Sequence, residues 1–163
     1  MKIDSRTGLL QFNGELSLAS FMTKKELMGI DGLLWEPWPD KKEQTVSYRT
    51  IFNIKGNKQG DIYLIVSFVR PDDSEATIAS WRFAPEKLLM GEQRKPEGKI
   101  TQNLREWFRE KTNQSLPVSG EWGHIDSAYD PHNKTGTIFC HYRANFKSVR
   151  EWIDYCRRNN VRI

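Results

Sequence analysis

The sequence predicts an α+β fold: a mostly antiparallel sheet of five or more strands with two main amphipathic helices, one of them at the C-terminus. Three observations carry this expectation. Runs rich in β-branched and aromatic residues, many alternating with period two, recur at 45–54, 61–69, 76–83, 120–127 and 135–143. Ile100, Leu104, Trp107 and Phe108 recur at helical spacing, opposite Gln102, Arg105, Glu106 and Arg109. Val149, Trp152, Ile153 and Cys156 form a second such stripe near the end of the chain. The 163 residues match one domain, 1–163, and eight Phe, six Trp and five Tyr supply bulky core material.

In chain order, Asn13-Gly14 is a two-residue hairpin signal, so 9–12 and 15–18 read as the arms of a small hairpin. Thr23 and Glu26 have the spacing of a capping box and open a short helix that stops at Gly29. Residues 31–44 read as a loop, because Gly32, Pro37 and Pro39 break helix and strand alike. Thr45–Ile54 alternates Val46, Tyr48, Thr50 and Phe52. Asp61–Val69 is almost continuously apolar and predicts an interior strand covered on both faces. Ala76–Phe83 sets Ala76, Ile78, Ser80 and Arg82 against Thr77, Ala79, Trp81 and Phe83. The links among these three strands suit an antiparallel meander.

Pro85, Gly91, Pro96 and Gly98 leave 84–98 without a clear reading. A helix then carries the Ile100 stripe as far as Asn113. A second hairpin pairs 120–127 with 135–143 through 128–134. The last helix begins near Asn145 or Ser148, where Ser148 and Glu151 have capping-box spacing.

Two cysteines, Cys140 and Cys156, are too few for a disulfide framework and match no zinc or CxxC spacing. No apolar signal segment, membrane span or lipidation motif is visible, so a cytoplasmic location is expected. The net charge of +4 is mildly basic and leaves a nucleic-acid partner open without requiring one.

No catalytic, cofactor-binding or metal-binding motif is present: P-loop, GxGxxG, HExxH, GxSxG and EF-hand patterns are all missing. The nearest approach to chemistry is the second hairpin, which holds His124, His132 and His141 with Asp126, Asp130 and Cys140. Three imidazoles could ligate zinc, or Cys140 could pair with a histidine. Period two argues against both. It sends Cys140 toward the core beside Ile138 and Tyr142, and His141 to the other side with Phe139. Only a register that sets His124 opposite His141 would make the cluster converge.

The expected partner-binding residues are Trp35 and Trp38 in the Pro-broken loop, and Tyr129, Asp130 and His132 at the hairpin turn. Either the two tryptophans fold back over the sheet, or they are exposed anchors of the kind that dominate interfaces. Asp130-Pro131 is a type I turn former, or the base of a recognition loop. Lys147, Arg150, Arg157, Arg158 and Arg162 give the last segment either a solvated basic face or a phosphate-contacting patch.

The stretch Trp122-Gly123-His124-Ile125-Asp126-Ser127-Ala128-Tyr129-Asp130-Pro131, with Gly136-Thr137-Ile138 after the turn, resembles a recurring feature of small enterobacterial proteins. The opening Ile3-Asp4-Ser5-Arg6-Thr7-Gly8 does so too. These are immunity proteins of polymorphic toxin systems, including those of contact-dependent growth inhibition. The resemblance implies a stoichiometric binder that neutralises a cognate toxin domain in the cytosol by covering its active site. It carries no site residues of its own. A basic chain of this kind would meet an acidic patch or an apolar surface on its partner. The alternatives are a nucleic-acid-binding or regulatory module using the basic C-terminal helix, and a small enzyme using the histidine hairpin.

Overall fold

In the computed structural model, which describes residues 1–14, 16–38, 47–69, 73–89, 97–143 and 149–158, the first apolar pieces build a three-stranded antiparallel sheet. β1 (Lys2–Asp4) pairs with β2 (Leu9–Gln11), and β2 pairs with β3 (Ser17–Leu18) beyond the Asn13-Gly14 corner. The β2–β3 hairpin lies where the sequence predicts one, but the Phe12 amide donates to the Leu16 carbonyl at 3.0 Å, so its loop is longer than the two residues expected. β1 carries no strand pattern in the sequence, because Ile3 is its one apolar residue. α1 (Lys24–Met28) starts at the expected capping box: the Glu26 amide donates to Thr23 Oγ1 at 3.1 Å, and the Thr23 amide donates to the Glu26 carboxylate at 3.0 Å.

The main sheet begins with β4 (Glu36–Pro37), a two-residue edge strand inside the stretch expected to be loop. β5 (Ser47–Phe52), β6 (Ile62–Phe68) and β7 (Ile78–Pro85) follow as the expected meander. α2 (Glu86–Leu89) and α3 (Glu97–Thr112) come next, then β8 (Val118–Gly120), β9 (Gly123–Asp130) and β10 (Thr135–Tyr142). The seven strands lie in the order β4-β5-β6-β7-β10-β9-β8, every pair antiparallel. α4 (Val149–Arg158) closes the described chain; its expected cap at Ser148 and the side chains of its expected apolar stripe lie outside what the structure describes.

One face of this sheet carries the core. Ile62, Leu64, Val66, Trp81, Phe83, Ile125, Ile138 and Cys140 point into it, and α3 lays Ile100, Leu104, Trp107 and Phe108 across β9 and β10. The helix comes so close that a Cβ on Gly136 would stand 2.4 Å from Ile100 Cγ2. α3 ends at Asn113, whose φ of 58° suits the left-handed position after a helix.

Three expectations differ from the structure. β6 is interior, but it is not covered on both faces: Ile62, Leu64, Val66 and Phe68 are buried, while Tyr63, Ile65 and Ser67 are half-exposed. In β7, Ile78 shares the core face with Trp81 and Phe83 rather than lying with Ser80 and Arg82. A register shift between Ser67 and Phe68 inserts a residue opposite them and breaks the alternation. The second hairpin turns over 131–134, so Ala128, Tyr129 and Asp130 belong to β9 rather than to its connection.

Candidate partner-binding site: the open face of the sheet

The face opposite the core is defined by residue parity and strand register. Ser47, Ser67, Ser80, His141, His124 and Ser119 form one continuous cross-strand row from β5 to β8. Beside it run Glu36, Arg49, Ile65, Arg82, Phe139 and Asp126. The register therefore does set His124 opposite His141. His124 Nδ1 lies 2.6 Å from Ser119 Oγ, and the Phe139 ring centroid lies 5.3 Å from that of His141. Cys140 sits on the other face, fully buried, where desolvation pushes its thiol well above the usual range. A thiolate–imidazole pair has no geometry here. Among the described residues no group of three or more His, Cys, Asp or Glu could hold a metal ion.

Two adjoining depressions make a groove along this face. The larger, about 440 Å³, is lined by Ile65, Ser67, Ser80, Arg82, Phe139 and His141, with Ala128, Tyr129 and Asp130 along β9. The smaller, about 240 Å³, adds Trp38, Arg49, Tyr63, Asn133 and Thr135, and Leu89 of α2 closes its end. Ile65, Arg82, Asp130 and Thr137 line both. α2 comes against β7 and β10, and Ile65, Ser67, Ser80 and Phe139 along the groove are half-exposed while Arg82 and His141 are exposed.

The charges on the face are unevenly satisfied. Glu36 is paired with Arg49, whose guanidinium lies over the Trp38 ring at 4.0 Å from the centroid. Asp126 accepts from Arg105 of α3 at 2.9 Å, and Arg105 Nε also donates to Ser127 Oγ at 3.0 Å. Asp130 is committed to its own turn: it accepts from the His132 amide at 2.9 Å and from Asn133 Nδ2 at 2.7 Å. The Asn133 side chain first, then the Asn133 backbone, hold its carboxyl below the usual range. Arg82 is exposed in the middle of an interior strand, and among the described residues it makes no hydrogen bond or ion pair.

The residues singled out in the sequence divide between two roles. Trp38 lines the groove and His132 is exposed at the turn tip. Trp35 and Tyr129 are half-buried and pack against the core, Tyr129 also bordering the larger depression, and Trp35 Nε1 is buried with no hydrogen-bond partner among the described residues. Asp130 shapes the turn rather than offering a bare carboxylate. The basic residues Arg150, Arg157 and Arg158 are exposed on α4, where Arg158 Nε donates to the Asp154 carbonyl at 3.2 Å; Lys147 and Arg162 lie outside the described residues. Arg82, Ile65 and Phe139 are not among the candidates the sequence offers. The signal for them was an apolar strand flanked by one bearing a mid-strand arginine.

A sheet packed on one face, and on the other bearing a groove of apolar, hydroxyl and guanidinium groups, defines a binding module. The chain belongs to the RhsI1 immunity protein family, whose model matches residues 1–161. It is also similar to a chain of the solved structure described as Rhs1-CT in complex with cognate immunity protein RhsI1. The two are 52% identical with a TM-score of 0.81, over 100% of this chain and 99% of that one. No protein of curated function matches.

The sequence resemblance to immunity proteins thus holds, and the family is one named for Rhs1's partner. The stretches that carried the resemblance meet in space. Trp122 Nε1 donates to the Ser5 carbonyl at 2.9 Å, and Gly8, at φ +71°, lies so close to the Trp122 ring that a Cβ would stand 2.3 Å from it. They are a structural latch between the N-terminal sheet and the main sheet.

Proposed function

We propose that the chain neutralises one cognate toxin domain by stoichiometric binding, acting in the cytosol as a single folded domain and catalysing no reaction itself. The observation that carries this is the full-length relationship to an immunity protein solved with its cognate partner. The open face supplies a surface suited to the task. Its apolar residues are already ordered on a rigid sheet, so little conformational freedom is lost on docking. In this reading the groove covers the toxin's active site. Trp38 and His132 contact the toxin at its rim, Asp130 holds the turn that presents His132, and Trp35 and Tyr129 brace the two edges from the core side. No helix among the described residues is long and apolar enough to cross a membrane. That leaves the neutralising encounter in an aqueous compartment consistent with every described element.

The test is co-expression with the cognate toxin domain. Protection of the cell and co-elution of the two chains as one complex at moderate salt are expected. Growth arrest despite full expression of the chain would rule out the reading.

A further inference from the structure

We infer that the groove receives a carboxylate side chain of the toxin domain, with Arg82 as its central anchor. This rests on the neutralisation reading and names the chemistry of its contact. The described carboxylates in the rows facing the groove are each engaged: Glu36 with Arg49, Asp126 with Arg105, Asp130 with its turn. Arg82 has no such partner among the described residues, although Ile65 and Phe139 stand directly beside it in register.

A guanidinium between two apolar side chains gains little from water once those side chains are covered. It then needs a planar acceptor, and a carboxylate matches its donor fork two bonds at a time. Ser67, Ser80 and His141, one row along, supply further polar groups for the second carboxylate oxygen or its neighbouring backbone. Ile65 and Phe139 give the methylene stem of an Asp or Glu an apolar seat. The chain's net charge of +4 points the same way, since an acidic partner segment is steered toward it. Arginine at the centre of a desolvated contact is among the residue types that carry most of an interface's energy.

The experiment uses the whole chain and its cognate toxin domain, with affinity and rates measured at two salt concentrations. Arg82→Met keeps the apolar stem and removes the charge; it is expected to weaken binding by roughly 100-fold, mostly through faster dissociation. Arg82→Glu is expected to weaken it further. One Asp or Glu of the toxin, changed to Lys, is expected to restore part of the binding lost by Arg82→Glu. The isolated Arg82→Met chain should melt within a few degrees of the unmodified one, since the side chain is exposed.

If the unmodified pair does not bind, the neutralisation reading itself fails. If it binds and Arg82→Glu stays within about threefold of it, neutralisation stands and the anchor is overturned. A large loss with no coupled toxin carboxylate would assign Arg82 to another acceptor, and a strongly destabilised Arg82→Met would make it a structural residue. Either result overturns the inference.

Discussion

Tyr142 illustrates how one side chain can join separate pieces of this fold. It is buried on β10; its hydroxyl accepts from Trp81 Nε1 at 3.0 Å and faces the carbonyls of Gly8 at 3.1 Å and Leu18 at 3.3 Å. Replacing Tyr142 with Phe leaves the buried indole N–H without its acceptor, which costs about 1–3 kcal/mol. Urea unfolding should register that loss. The pH dependence has a definite sign. Burial raises the Tyr142 hydroxyl well above its ordinary range, so the folded state holds this proton after the unfolded chain has released it. Its contribution is present below roughly pH 10, the unfolded phenol value, and falls as pH rises above that. Tyr142→Phe should therefore flatten the alkaline loss of stability. Asp130 has the opposite sign: its depressed carboxyl favours the fold above the ordinary carboxylate range and loses that influence as pH falls through the lowered value. Asn133→Ala removes the largest cause and should move the Asp130 titration, followed by NMR, up toward the ordinary range. The Asp130-Pro131 turn was legible in the sequence because its partners lie within three residues. The isolation of Arg82 was not, because it depends on where Glu36, Asp126 and Asp130 spend their charges.

At the level of elements, legibility followed length and period. α3 and the β5–β7 meander are long enough for their periodicity to stand out; β1, β4 and β8 are two or three residues each and have no period to read. β6 misled in an informative way. A strand apolar on both sides ordinarily lies between two layers. Here Tyr63 and Ile65 face a groove instead, so the same pattern belongs to a half-exposed face, the one proposed above to meet the toxin. The contact of α3 with β10 gives a test at this scale. A Cβ on Gly136 would meet Ile100 Cγ2 at 2.4 Å and Leu104 Cδ1 at 3.0 Å, so Gly136→Ala must lift the helix or distort its side chains. A loss of about 1–3 kcal/mol is expected from such overpacking. In an Ile100→Ala background the nearest methyl is gone, so the cost of Gly136→Ala should shrink. Additive losses in the two single variants and the double variant would mean that α3 does not press on β10 through this pair.

At the scale of the whole molecule, the α+β class and the antiparallel sheet could be read from pattern. Which face is left open could not, because that depends on the side to which α3 crosses. The consequence of that choice can be weighed in a titration. A protein that neutralises by covering its target acts once per target, whereas one that destroys the target or its product acts repeatedly. Residual toxin activity should therefore fall linearly as the chain is added and reach its floor at a one-to-one ratio. The complex should also melt higher than the isolated chain, because a ligand that binds only the folded form adds about 4 kcal/mol when present at a thousandfold excess over its dissociation constant. Salt separates the contributions of charge. Arg150, Arg157 and Arg158 are exposed on α4, outside the groove, so their joint replacement by Ala should slow association modestly and reduce its salt dependence, with dissociation little changed. Protection at ratios far below one-to-one would contradict a stoichiometric binder and return attention to turnover chemistry on the open face, where His124 and His141 stand opposite one another.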